Sequence, residues 1–328
     1  MPPTLSVQNL SKSFKIRKPA AGLRDLWHRL WKPEYRTVDA VRDISFDLHA
    51  GERVAFIGPN GAGKSTTIKM AAGILYPSAG RVSVLGLDPQ TQRRQVTRAL
   101  GAVFGQRSQL WYHLPAGDSF DLLAKIYDMP DALYRTRRDY LAQSFELGDI
   151  LSRPVRQLSL GQRMRCEIVA SLLHKPQVLF LDEPTIGLDV DAKAKIRDLV
   201  RRTADEDGTT VLLTSHDTGD IEQVCDRVIV IDNGQIILDE SIGGLRQRYI
   251  KTKRVTVHTT DAPPELGLPG VAWLEQSPHR LVAEIDTSIT PAGTAVAALL
   301  QRVSCTDVSV EDPPMDDIVR RIYAERRA

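Results

Sequence analysis

Nine consecutive residues, Gly58-Pro59-Asn60-Gly61-Ala62-Gly63-Lys64-Ser65-Thr66, fit the pattern G-x-x-x-x-G-K-[ST]. The glycines let the backbone turn tightly, so that successive N–H groups can wrap the oxygens of a phosphate. Lys64 brings a mobile point charge suited to β- and γ-phosphates, and Ser65 a hydroxyl suited to Mg²⁺. Further along, Val178-Leu179-Phe180-Leu181-Asp182-Glu183 joins four apolar residues to two carboxylates. Asp182 can hold Mg²⁺ through water, and Glu183 can accept a proton from an attacking water. A phosphate cradle and a paired carboxylate imply binding of a nucleotide and hydrolysis of its terminal phosphate.

Such groups must be positioned by elements. The cradle follows the apolar run RVAFIG and precedes the helix-like TTIKMAAGIL, the context in which this pattern carries its chemistry. The two carboxylates stand where a buried strand would end, the side on which parallel sheets bind ligands. Short apolar runs recur at Val54 to Ile57, Ala102 to Phe104, Val178 to Leu181, Val211 to Leu213 and Val228 to Ile231. They predict an α/β core of buried parallel strands. Residues 4–9 and 43–48 alternate apolar and polar, as half-buried strands do. Residues 108–175 carry helix signals and predict a helical insertion. RVIVIDNGQIILDE predicts a hairpin turning at Asn233-Gly234. After about Arg246 a strand–hairpin–helix–strand–helix pattern without a phosphate motif predicts a separate α+β domain over 246–328.

Between the two phosphate motifs stands Leu158-Ser159-Leu160-Gly161-Gln162, which resembles the LSGGQ signature of ATP-binding-cassette (ABC) ATPases. Gln106 in AVFGQRSQL resembles the Q-loop glutamine of that family, Gly187-Leu188-Asp189 its D-loop, and Ser215-His216-Asp217 its switch-histidine loop. All stand in the family's order, over roughly residues 4–245. The resemblance implies a P-loop α/β cassette with a core parallel sheet, an antiparallel β subdomain and a helical subdomain, ahead of the small C-terminal α+β domain. It implies ATP and Mg²⁺ as cofactors. Gly58, Asn60, Gly61, Gly63, Lys64, Ser65 and Thr66 would hold the phosphates, and Ser65, Gln106 and Asp182 the metal. Glu183 would be the general base, with Gln106 near the lytic water and His216 at the γ-phosphate or orienting Glu183. Ser159, Gly161 and Gln162 would meet the γ-phosphate held by a second cassette, and Asp189 would cross to it. Leu160 departs from the pattern, where the family usually has glycine: it adds bulk near that interface and resists positive φ. The family stacks adenine on an aromatic residue upstream of the cradle. Phe14 and Tyr35 are the candidates, and Tyr35, twenty-nine residues before Lys64, is preferred.

The chain has 328 residues, enough for about two domains, and a formal net charge of +2, which gives no global attraction to nucleic acid. Its three cysteines lack metal-ligand spacing and suit a reducing compartment. The N-terminus has no apolar core of a secretory signal, and no apolar run approaches the roughly 20 residues that span a bilayer. The expectation is a peripheral subunit at the cytoplasmic face of a membrane, partnered by an integral-membrane permease and by a second copy or a related cassette. FGQRSQL, LSLGQ, EPTIGLD and the C-terminal extension most resemble bacterial export-type systems. An importer ATPase or a non-transport cassette are the alternatives; against the latter, only about 110 residues separate Lys64 from Val178, too few for a long coiled-coil insert. In AGLRDLWHRLWK (residues 21–32), within an insertion at about 17–36, Leu23, Leu26, Trp27, Leu30 and Trp31 form one apolar helical stripe. That stripe suits either the cassette's own surface or a membrane boundary beside the permease.

Overall fold

Apolar runs without polar alternation arise where a strand is covered on both faces. In the computed structural model, which describes residues 2–17, 35–105, 108–215, 217–249, 251–259, 269–301 and 304–327, four such runs become the centre of a sheet. They are β3 (Arg53–Ile57), β6 (Val178–Asp182), β7 (Thr210–Ser215) and β8 (Arg227–Asp232). Phe56, Phe180, Leu212 and Ile229 on them are fully buried, each worth roughly 1.5–3 kcal/mol in burial. With β5 (Leu100–Phe104) and β9 (Gln235–Ser241) they form a six-stranded sheet in the order β5-β6-β7-β3-β8-β9, parallel from β5 to β8. This order sets the carboxyl ends of β3, β7 and β6 side by side: Ile57 is level with Ser215, and Thr214 with Asp182.

A second sheet, antiparallel, has the order β2-β1-β4, from β1 (Leu5–Arg17), β2 (Tyr35–Leu48) and β4 (Ala79–Val84). Both β1 and β2 run well beyond the stretches 4–9 and 43–48 that alternate in sequence. Register shifts between Val7 and Leu10, Leu10 and Lys12, and Lys12 and Ser13 break the pairing, with Asn9 and Asp43 at positive φ. Each shift moves side chains off the simple two-residue period, which hides the strand from a pattern search. Arg17 and Tyr35 close the paired ends, so the insertion expected at 17–36 loses Arg17, Tyr35 and Arg36 to strands. The stripe at 21–32 lies outside the described residues. One core joins the two sheets: Leu5, Ile44 and Phe46 pack with Phe56, Ile68 and Phe180, and the Phe46 and Phe56 rings lie 5.6 Å apart.

Seven helices accompany these sheets among the described residues: α1 (Lys64–Ala71), α2 (Arg93–Ala99), α3 (Ala116–Ile126), α4 (Asp131–Ser144), α5 (Leu160–Leu172), α6 (Val190–Asp207) and α7 (Thr218–Val224). Residues 108–175 hold α3, α4, α5 and two short 3-10 turns. The chain divides into two compact units, Met1–Glu240 and Ser241–Ala328. The second begins with α8 (Ile242–Tyr249) and has an antiparallel sheet of order β11-β12-β10-β13, from β10 (Thr252–Thr259), β11 (Val271–Ser277), β12 (Arg280–Asp286) and β13 (Cys305–Glu311). Val255, Val257, Leu281 and Ile285 pack there with Ala295 and Leu299 of α9 (Ala292–Leu300), and α10 (Met315–Arg327) ends the chain.

Candidate functional site

The phosphate loop is built by the turn from β3 into α1. Gly63 caps α1 at φ 111°, a region closed to side-chain-bearing residues, and a Cβ there would come within 2.5 Å of the Ala40 carbonyl. Lys64 is 5% exposed, and its Nζ donates to the Gly58 carbonyl at 2.6 Å and to that of Pro59 at 3.3 Å. Burial holds the Lys64 ammonium below the usual lysine range, and the Glu183 and Asp182 carboxylates oppose that shift.

Asp182 reaches the same place from the end of β6. Ser65 Oγ donates to Asp182 Oδ1 at 3.0 Å, and Thr214 Oγ1 donates to the same oxygen at 2.6 Å. Hydroxyl and carboxylate oxygens converging beside a phosphate loop are the hard donors that Mg²⁺ prefers. Among the described residues no group of three or more His, Cys, Asp or Glu side chains could hold a metal ion. Glu183 has φ 54°, a left-handed conformation that costs a non-glycine residue of order 1–3 kcal/mol and is met at functional sites. Its N–H is held by the Thr214 carbonyl at 3.0 Å and by Thr214 Oγ1 at 3.2 Å.

Ser159, Gly161, Gln162 and Asp189 gather elsewhere, around a cleft of about 380 Å³ whose lining holds no phosphate-loop residue. Ser159 caps α5: its Oγ accepts from the Gln162 N–H at 3.2 Å, while Gln162 Oε1 accepts from the Ser159 N–H at 3.0 Å. The two side chains thus fix the loop from which the first amides of α5 project, an arrangement suited to an anion. Asp189 caps α6 in the same manner, accepting from the Ala192 N–H at 2.8 Å. Leu160 opens α5 without a positive φ and is 39% exposed, with a δ-methyl close over Gly187. Leucine is accommodated because this position needs no left-handed backbone.

Residues 41–186 match the family described as ABC transporter. The daunorubicin resistance ATP-binding protein DrrA3 of Streptomyces coeruleorubidus is 32% identical over 300 residues, covering 89% of this chain and 94% of that protein. The chain belongs to the ABC transporter ATP-binding family. The ABC transporter ATP-binding protein NatA of Bacillus subtilis is 32% identical over 209 residues, 64% of this chain and 85% of NatA. A solved dimeric ATP-binding cassette, in a post-hydrolysis state with ADP and Pi, is similar at TM-score 0.61 and 25% identity, over 73% of this chain and 98% of that one. As an ABC cassette the chain is an ATPase, and its α/β fold is that of the family.

Gln106 and His216 lie outside the described residues of the cassette, although their neighbours Gly105, Ser215 and Asp217 are within them. Of the two adenine-stacking candidates, Phe14 pairs with Val38, two residues from Ala40 at the phosphate loop. Tyr35 pairs with Arg17 at the far end of β2, roughly 17 Å along the strand from Ala40 and on the face opposite Val38. Trp111 and Tyr112 are 39% and 54% exposed, so neither belongs to the core. Two buried residues of the site, Thr214 and Asp220, belong to none of the motifs; Thr214 is a polar residue closing an apolar strand, but only the β6–β7 register reveals its partner.

Proposed function

We propose that this cassette powers export through a separate integral-membrane permease, closed head to tail on a second copy or a related cassette. The observation that carries the reading of the site is the convergence of Ser65, Asp182 and Thr214 beside Lys64, with Glu183 next along the chain. ATP phosphates lie in the loop from Gly58 through Asn60, Gly61 and Gly63 to Thr66, with Lys64 at their β- and γ-oxygens. Ser65, Asp182 and Gln106 are the residues that would hold Mg²⁺, which when bound neutralises charge developing on those oxygens. Glu183 accepts the proton of the attacking water, and His216 orients it or meets the γ-phosphate. Phe14 replaces Tyr35 as the residue proposed to stack on adenine, because register brings it nearer the loop.

The second cleft supports the two-cassette arrangement. Ser159, Gly161, Gln162 and Asp189 do not share a cavity with the phosphate loop of their own chain, so their anion-facing amides suit the ATP of a partner. Exposed Trp111 and Tyr112, together with a groove of about 220 Å³ touched by Ile74, Phe104 and Gln109, support a docking face for the permease. No helix among the described residues is long and apolar enough to cross a membrane, so the substrate path is assigned to that permease. Residues 246–328 are proposed as an accessory domain for dimer contact or regulation. Export is favoured by the similarity to a resistance protein that extends over 300 residues. The test is purification of the full chain with the membrane proteins encoded beside it. Recovery of a permease that moves solute outward supports the proposal; a complex that also requires an external solute-binding protein makes it an importer and contradicts it.

A further inference from the structure

Asp220 takes no part in the chemistry above, yet it is 0% exposed. A buried carboxylate persists only where donors match its oxygens. Asp220 has three: Thr185 Oγ1 and Ser215 Oγ each donate to its Oδ2 at 2.5 Å, and Arg197 Nε donates to its Oδ1 at 2.5 Å. These donors come from three separate segments. Thr185 follows Glu183 by two residues, and its carbonyl accepts from the Leu188 N–H, closing the turn that leads to Asp189. Ser215 immediately precedes His216. Arg197 lies on α6, the helix that Asp189 caps.

The network continues to Asp217. Arg197 Nη2 pairs with Asp217 Oδ1 at 2.9 Å, and Lys193 Nζ donates to Asp217 Oδ2 at 2.6 Å. The Asp217 N–H donates to Ser215 Oγ at 2.9 Å. Asp217 is therefore tied directly to α6, and Ser215 reaches that helix through Asp220 and Asp217. Gly219 makes room for this: a Cβ there would come within 2.6 Å of Arg197 Nη1.

We infer that Asp220 is a positioning residue for ATP hydrolysis, which through Thr185, Ser215 and Arg197 holds the Glu183 turn, the end of β7 and the middle of α6 in one fixed relation. It acts through the residues that it holds. A general base displaced by about 1 Å loses on the order of 100-fold in rate while the phosphate loop still binds nucleotide. The inference rests on the reading of Glu183 as the base.

The experiment measures kcat and KM for Mg-ATP, with thermal midpoints, on the full chain as wild type, Asp220→Asn and Thr185→Val. Asp220→Asn keeps the shape and removes the charge that Arg197 faces. Its expected kcat is lower by about 10-fold or more, with KM within about twofold, because binding and chemistry are held by different segments. Thr185→Val removes one donor without changing volume, and is expected to lower kcat by about threefold with a thermal midpoint near that of wild type. Either loss with KM preserved supports the inference. A folded Asp220→Asn with wild-type kcat overturns it, as does a Thr185→Val of wild-type kcat where Asp220→Asn does not fold. A wild-type chain that binds ATP without turnover overturns the reading of Glu183 and this inference together; a hydrolysing wild type with an indifferent Asp220→Asn overturns this inference alone.

Discussion

Phe14 and Tyr35 differ in what their positions permit. Phe14 shares its strand pair with Val38 near the phosphate loop, whereas Tyr35 is 56% exposed at the end of β2. Stacking a base on an aromatic ring is worth about 1–3 kcal/mol. Phe14→Ala should therefore weaken ATP binding roughly 10-fold or more in a calorimetric titration, and Tyr35→Ala should leave it within about twofold. The opposite order would return the role to Tyr35. The phosphate-loop residues are legible in the sequence because their chemistry is local: Gly63, Lys64 and Ser65 work through spacing along one turn. The choice between Phe14 and Tyr35 is not, because it depends on a strand register interrupted by bulges. Nor is the left-handed backbone of Glu183, which is set by Thr214 on a neighbouring strand.

Elements hold one another through single buried side chains, and His174 is an example with a measurable consequence. Its ring stacks on Tyr127 at 3.9 Å and 3°, and its Nε2 faces the Leu100 carbonyl at 3.2 Å, so the end of α3 is tied to the start of β5. A carbonyl only accepts, so Nε2 carries the proton and the ring is neutral. Burial pushes its pKa down to about 4 from 6.5, with the Leu100 carbonyl opposing and Arg137 adding to the shift. The unfolded chain thus binds this proton at a higher pH than the folded one. The contribution to stability is complete above about pH 6.5 and is lost as pH falls towards 4, by on the order of 2–3 kcal/mol. His174→Phe keeps the stack and cannot protonate, so chemical denaturation between pH 6.5 and 4 should show a smaller loss for the variant by about that amount. Parallel losses would contradict the assignment. This tie joins residues far apart in sequence; the helices themselves are legible because their apolar spacing is local.

At the scale of the whole molecule, every residue proposed above to face phosphate belongs to the first unit, and the second unit has a core of its own. The α/β class is legible in the sequence because unbroken apolar runs and alternating strands bury different numbers of faces, whereas the change of character read at Arg246 falls inside α8, past the division at Glu240. In the proposed pair of cassettes, ATP bound at Lys64 and Ser65 of one is completed by Ser159 and Gly161 of the other, and Glu183 starts its hydrolysis. Glu183→Gln keeps the side-chain shape but cannot accept the proton, so bound ATP should persist and hold the pair closed. The direct measurement is light scattering on size-exclusion chromatography of the full-length Glu183→Gln chain with Mg-ATP, alongside its turnover. The expected result is a dimer in ATP, a monomer without nucleotide, and turnover reduced by roughly 100-fold or more, the range for loss of a general base. A Glu183→Gln chain that stays monomeric in ATP and hydrolyses it at the wild-type rate would contradict it.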